Sequence, residues 1–266
     1  MRVSSSNARS RTRAIASALA VAMTLGLTNM PSARADEAQA KELLKSMSDY
    51  LAAQTNISFD TDTSLELVTK QDQKLALASS GSVTLNRPDR LLATRKGGFA
   101  DVELVFDGKT VTLANKDSKE YAQLEVPGTI DHLVDVLRDK LHRPLPAADL
   151  LMSDVYQELM AHVVDVKDLG SGYIGGVECN HLAFRAKDVD WQIWIAEGEH
   201  PYPCRYVITS TKVKGAPQYS VDISNWKTGA GAPSSDFTFK APDGFKQVKP
   251  DAIADTDELP ALFKSK

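Results

Sequence analysis

Nothing in this chain announces catalysis. It has no H-E-x-x-H, no G-x-S-x-G, no P-loop and no G-x-G-x-x-G. Zinc hydrolysis, serine-hydrolase chemistry and nucleotide cradling therefore have no motif to rest on. Cysteine is scarce, with 2 residues, and so is histidine, with 5. Cys179 and His181 share one strand face but lack the further ligands of a familiar metal set, so no metal and no cofactor is expected. His132 stands beside Asp131 and Asp135 on a helical stretch and reads as part of a solvated face. Asp60, Asp62 and Glu66 alternate on the wet side of a strand, where acidic residues are common. These readings together point away from an enzyme.

Positive charge is also in short supply. The chain has 31 Lys and Arg against 35 Asp and Glu. Arg2, Arg9, Arg11, Arg13 and Arg34 fall in residues 1–35, where no acid occurs; the remainder holds 26 basic and 35 acidic residues, a formal charge of −9. So acidic a body repels phosphate backbones, which excludes nucleic acid as a natural partner. No run of apolar residues reaches the roughly eighteen that a spanning helix needs. The overall composition, 42% apolar and 25% charged with 15 Gly and 12 Pro, is that of a globular protein.

The basic start has a reading of its own. Arginines precede the uncharged stretch Ala14–Leu27, and Ala33-Arg34-Ala35 follows with small residues at the two positions a signal peptidase reads. Residues 1–35 are expected to be a secretory signal cut before Asp36. No cysteine stands near that site to carry a lipid. The expectation is an exported, soluble periplasmic protein without a lipid anchor and without stable membrane insertion. In an oxidising compartment, Cys179 and Cys204 are expected to form a disulfide, if the fold brings them close enough.

Periodicity organises the rest. Ala40, Leu43, Leu44, Met47, Tyr50 and Leu51 repeat at helical spacing within residues 38–54. From Asn56 the period becomes two, through short strands with turns at Arg87-Pro88-Asp89, Gly97-Gly98 and Asp107-Gly108. Helical spacing returns at Ile130, Leu133, Val134, Leu137 and Leu141, ends at Pro144 and Pro146, and resumes over 147–160 with a break near Ser153-Asp154. Strands follow at 163–168, 173–185, 191–197, 205–212 and 218–226, and a last one at Phe237-Thr238-Phe239. Gly170-Ser171-Gly172 reads as a bulge or a turn. The fold class is α+β: a single curved antiparallel half-barrel sheet of about 11–12 strands with helices packed in its concave face. It occupies residues 36–245, and 246–266 form a polar tail.

Two sets of motifs resemble known families. Arg87-Pro88-Asp89-Arg90-Leu91, Phe106-Asp107-Gly108-Lys109 and Tyr121-Ala122-Gln123 resemble the periplasmic lipoprotein-carrier (LolA/LolB-like) superfamily. Cys179–Arg185, Asp190–Ile195 and Pro201–Thr209 are similar to an uncharacterised family of predicted periplasmic proteins placed in that superfamily. The resemblance spans roughly residues 40–245. It implies an open half-barrel with a helical lid, and an acyl chain held between the two. Under that implication Leu182, Phe184, Trp191, Ile193, Ile195, Tyr206 and Ile208 would line the cavity. The same alternating stripes also suit a filled core, so both readings stand at this point. The partner implied is a lipid, or the acyl chain of a lipidated protein. The alternative is an envelope regulator or scaffold that senses such a ligand and acts through a protein partner.

Overall fold

The structure is a computed structural model that describes residues 33–140 and 147–250. The expected leader up to residue 32, and the tail from residue 251, lie outside the described residues. Helix α1 (Ala33–Ala52) opens the fold. Ala40, Leu44, Met47 and Leu51 lie one above another and are fully buried, so the helix is held by one apolar stripe. Gln54 ends it by donating its side-chain amide to the carbonyl of Tyr50 at 3.2 Å.

Six antiparallel strands follow: β1 (Asn56–Val68), β2 (Lys74–Asn86), β3 (Arg90–Gly97), β4 (Asp101–Phe106), β5 (Thr110–Asn115) and β6 (Glu120–Glu125). Two side-chain choices fix this meander. Asp107 accepts from the amides of Lys109 and Thr110 at 2.9 and 2.7 Å, and Gly108 takes φ +85, so the β4–β5 turn closes on itself. Gly81 lets β2 and β3 meet, since a Cβ there would lie 2.0 Å from the carbonyl oxygen of Thr94.

A crossover then runs through α2 (Ile130–Asp135), a π turn (Val136–Lys140), a 3₁₀ turn (Ala148–Leu151) and α3 (Val155–Met160). Thr129 caps α2 through the amide of His132, and Asp154 caps α3 through the amide of Gln157. The second meander is β7 (Val163–Ile174), β8 (Val177–Ala186), β9 (Val189–Ala196), β10 (Pro203–Ser210) and β11 (Gln218–Thr228). Strand β12 (Lys246–Val248) pairs parallel with β6.

The strand order is β12-β6-β5-β4-β3-β2-β1-β11-β10-β9-β8-β7, in one curved sheet of 12 strands that does not close. Each meander runs between the middle of the sheet and one edge, and β1 and β11 join them. The crossover must therefore travel from one edge to the other. That route lays its helical pieces across one face, where α1, α2, the 3₁₀ turn and α3 share a single core with the strands. The edge strand β7 carries two register slips, after Val163 and after Asp168, which interrupt the ladder a foreign strand would need.

Three expectations need correction. The strand expected over 173–185 is broken by a hairpin turn at Gly175-Gly176, both at positive φ, so Tyr173 belongs to β7. Gly170 sits in a bulge of β7, in agreement with the expectation for Gly170-Ser171-Gly172. Phe237-Thr238-Phe239 alternates but makes no strand: the Thr238 amide donates to Asp236 at 3.0 Å, and Phe239 packs on Tyr121 with ring centroids 5.1 Å apart. The last strand is β12, which continues the sheet past residue 245.

Candidate ligand-binding face

Directly paired residues of antiparallel strands point to the same face, so the register defines rows across the sheet. One row on the helix side reads Phe184, Trp191, Ile208, Tyr219, Leu65 and Leu77, from β8 to β2. The next reads Leu182, Ile193, Tyr206, Val221, Thr63 and Ser79. Asn180, Ile195 and Pro203 begin a third. The seven residues expected at a cavity wall thus lie on one face of three neighbouring strands.

Their burial differs along the first row. Phe184 and Trp191 are 3% and 4% exposed, with their rings stacked at 3.8 Å, while Ile208, Tyr219, Leu65 and Leu77 are half-buried. Leu182, Ile193, Ile195 and Tyr206 are buried in the core shared with the helices. The apolar stripe therefore starts in the core beneath the helical pieces and emerges from it towards β1 and β2. Two pockets lie away from the buried part of the row. One, of about 340 Å³, is polar and flanked by Arg90, Lys109 and Asp236; the other, of about 180 Å³, lies against Leu77 and Phe99.

Among the described residues, polar contacts fasten the helical crossover at several points, one of them the Ile130 amide, which donates to the Pro88 carbonyl at 2.8 Å. Arg87, on the turn between β2 and β3, donates from its two terminal nitrogens to the carbonyls of Leu151 and Met152 at 2.9 and 3.1 Å. Its Nε is buried without a hydrogen-bond partner, and burial pulls the guanidinium below its ordinary pKa. Asp131 accepts from the Ser153 amide at 2.9 Å and from its hydroxyl. The Tyr156 amide donates to the buried Ser48 hydroxyl of α1 at 2.9 Å. Asp149 sits on the 3₁₀ turn. Burial and then Glu158 push its carboxyl up, while its charge adds to the burial that raises the Tyr206 phenol.

Sequence reasoning missed two parts of this arrangement. Arg87 was visible in the Arg87-Pro88 motif, but nothing in the motif says that it reaches 64 residues along the chain to Leu151. Leu65 and Leu77 alternated correctly, but they join the row only through the β1–β11 pairing.

The remaining candidates lie on the outer face. Asp60 takes a hydrogen bond from Asn225, Asp62 from Ser80, and Glu66 from Lys74 and the Gln218 amide, so each carboxylate has its own partner. His181 stacks on Trp194 at 3.9 Å and contacts Gln192 at 2.9 Å. Among the described residues no group of three or more His, Cys, Asp and Glu is arranged to hold a metal. Cys179 and Cys204 are brought together, buried and unbonded, in a small cluster with Ala196. The expected disulfide is therefore absent from this structure.

No described helix is long and apolar enough to cross a membrane. Comparison with solved structures finds similarity to lipoprotein LppX of Mycobacterium tuberculosis, at 12% identity over 75% of this chain and 98% of that one, TM-score 0.39. LprF of Mycobacterium bovis is similar at 14% identity over 79% and 98%, TM-score 0.42. The LolA superfamily protein NE2245 of Nitrosomonas europaea is similar at 9% identity over 75% and 97%, TM-score 0.36. Comparison with curated proteins finds no match. The model of one family, described as predicted periplasmic protein (DUF2092), matches residues 40–249, and the chain belongs to that family.

Proposed function

We propose that this protein is a periplasmic binding or carrier protein for an acyl chain, of a free lipid or of a lipidated partner. The observation that carries this reading is the apolar row from Phe184 to Leu77, which runs from beneath the helices to half-buried positions on the same face. An acyl chain laid along Leu77, Leu65, Tyr219 and Ile208 removes apolar surface from water, worth about 25 cal/mol per Å². It extends towards Trp191 and Phe184 as the helical pieces shift. Those pieces are short; Arg87 and the Pro88 carbonyl tie them to the β2–β3 turn, Ser48 ties α3 to α1, and Asp131 ties α2 to Ser153. The groups on this face bind and enclose; the reading assigns them no bond-making step.

The test is a titration of the detergent-free protein with a fluorescent long-chain fatty acid, followed by mixing with acceptor vesicles. Saturable binding with transfer to the vesicles supports a carrier. Saturable binding without transfer leaves a ligand-sensing regulator or scaffold. Absence of saturable binding overturns the proposal.

A further inference from the structure

The two cysteines lie on the outer face, away from the face assigned to the ligand. Cys179 of β8 stands directly opposite Ala196 of β9. On the other flank of β9, the Ala196 amide donates to the Tyr202 carbonyl at 2.9 Å, and Ile195 pairs with Pro203. The β9–β10 register then slips between Pro203 and Arg205, and Cys204 falls within the slip. Cys204 thereby joins Cys179 and Ala196 in one cluster, with Ile174, Trp194 and Tyr202 packed around them. Ala196 ends at its Cβ, so no longer side chain stands between the sulfurs. The Cys179 thiol donates to the Val177 carbonyl at 3.4 Å and the Cys204 thiol to the Tyr202 carbonyl at 3.9 Å, and the two residues are 0% and 2% exposed.

We propose that Cys179 and Cys204 are joined by a disulfide that spans β9 over Ala196, formed by exchange with an external disulfide before the outer cluster closes. One cysteine thiolate attacks the external disulfide, forms a mixed disulfide and expels one external thiolate. The second cysteine thiolate attacks the protein-side sulfur of that bond and expels the other. Two protein S–H bonds are exchanged for one S–S bond. The external disulfide is reduced to two thiols, which take up the protons. Burial holds both folded thiols protonated, so the folded reduced protein is a poor nucleophile and the exchange belongs to folding. The bond staples β8 to β10, which are not hydrogen-bonded to each other, and so fixes the three-strand wall whose opposite face carries Leu182, Ile193 and Tyr206.

The reaction uses the oxidant of the exported compartment, but the test supplies its own, so it is independent of where the protein resides. The mature chain, residues 36–266, is reduced, denatured and refolded with oxidised glutathione. It is then denatured again and alkylated without reductant. The expected mass shows no alkyl adduct and the loss of the two thiol hydrogens, and both adducts appear once reductant is added. The protein refolded under reduction and then given the same oxidant should react at least about ten-fold more slowly. Cys179→Ser with Cys204→Ser, refolded alongside, reports whether the chain folds without the bond. Two alkyl adducts, or persistent glutathione adducts, after oxidative refolding to the same circular dichroism as the double variant would overturn the proposal.

Discussion

Ile193 and Leu77 share the helix-side face but differ in what surrounds them. Ile193 is fully buried in the common core, whereas Leu77 is half-buried where the apolar row emerges. Ile193→Ala should cost about 2–5 kcal/mol through lost burial and the void left behind. Leu77→Asp should cost about 1 kcal/mol or less, because water already reaches it. Acyl binding should respond oppositely: Leu77→Asp weakens it at a nearly unchanged melting temperature. Thermal unfolding and fatty-acid titration of the two variants check this. Equal destabilisation at both positions would mean that the row is core throughout.

Burial raises the Asp149 carboxyl above the ordinary value, so the folded state favours the protonated form. The stability it contributes is present below the unfolded-state pKa and is lost as pH rises through the raised folded one. Asp149→Asn should therefore melt higher than the wild type at neutral pH. The gap should close as pH falls through the carboxylate range, and melting curves across that range test the sign.

At the scale of elements, the proposed carrier role requires the helical crossover to shift. Removing the Arg87 side chain leaves the Leu151 and Met152 carbonyls without their charged donor, a loss of about 2–3 kcal/mol. Arg87→Ala should speed amide exchange within 148–160 much more than within β8–β10, and it should accelerate acyl uptake. Uniformly faster exchange would make Arg87 a general support of the fold instead.

Alternation made Leu182 and Phe184, Trp191 to Ile195, and Tyr206 and Ile208 legible, because a period of two needs only neighbouring residues. The helix break at Ser153-Asp154 was legible for the same local reason. Gly175 and Gly176 are turn residues by type, but the strand bounds 173–185 run across them because apolar residues continue on both sides. Phe237–Phe239 misled because the Asp236 side chain, rather than a neighbouring strand, takes the Thr238 amide. The extension of the row into Leu65 and Leu77 was not legible at all. It depends on β1 meeting β11, a pairing between segments far apart in sequence that no local pattern encodes.

Across the whole molecule, chain order and site are connected. The second meander starts at the edge opposite the end of the first, so the link between them must cross one entire face. That crossing makes the helical cover, and the apolar rows beneath it follow from the pairing. The outer face carries the polar residues and the cysteine cluster, while the helix-side face carries the apolar rows. The central claim is that the helix-side face holds an acyl chain. The most direct test is a native mass spectrum of the protein purified from its own envelope without detergent, beside Leu77→Asp purified in the same way. A lipid adduct near one per chain is expected in the wild type, and its loss in Leu77→Asp. A wild-type spectrum with no adduct, unchanged after incubation with lipid vesicles, would contradict it.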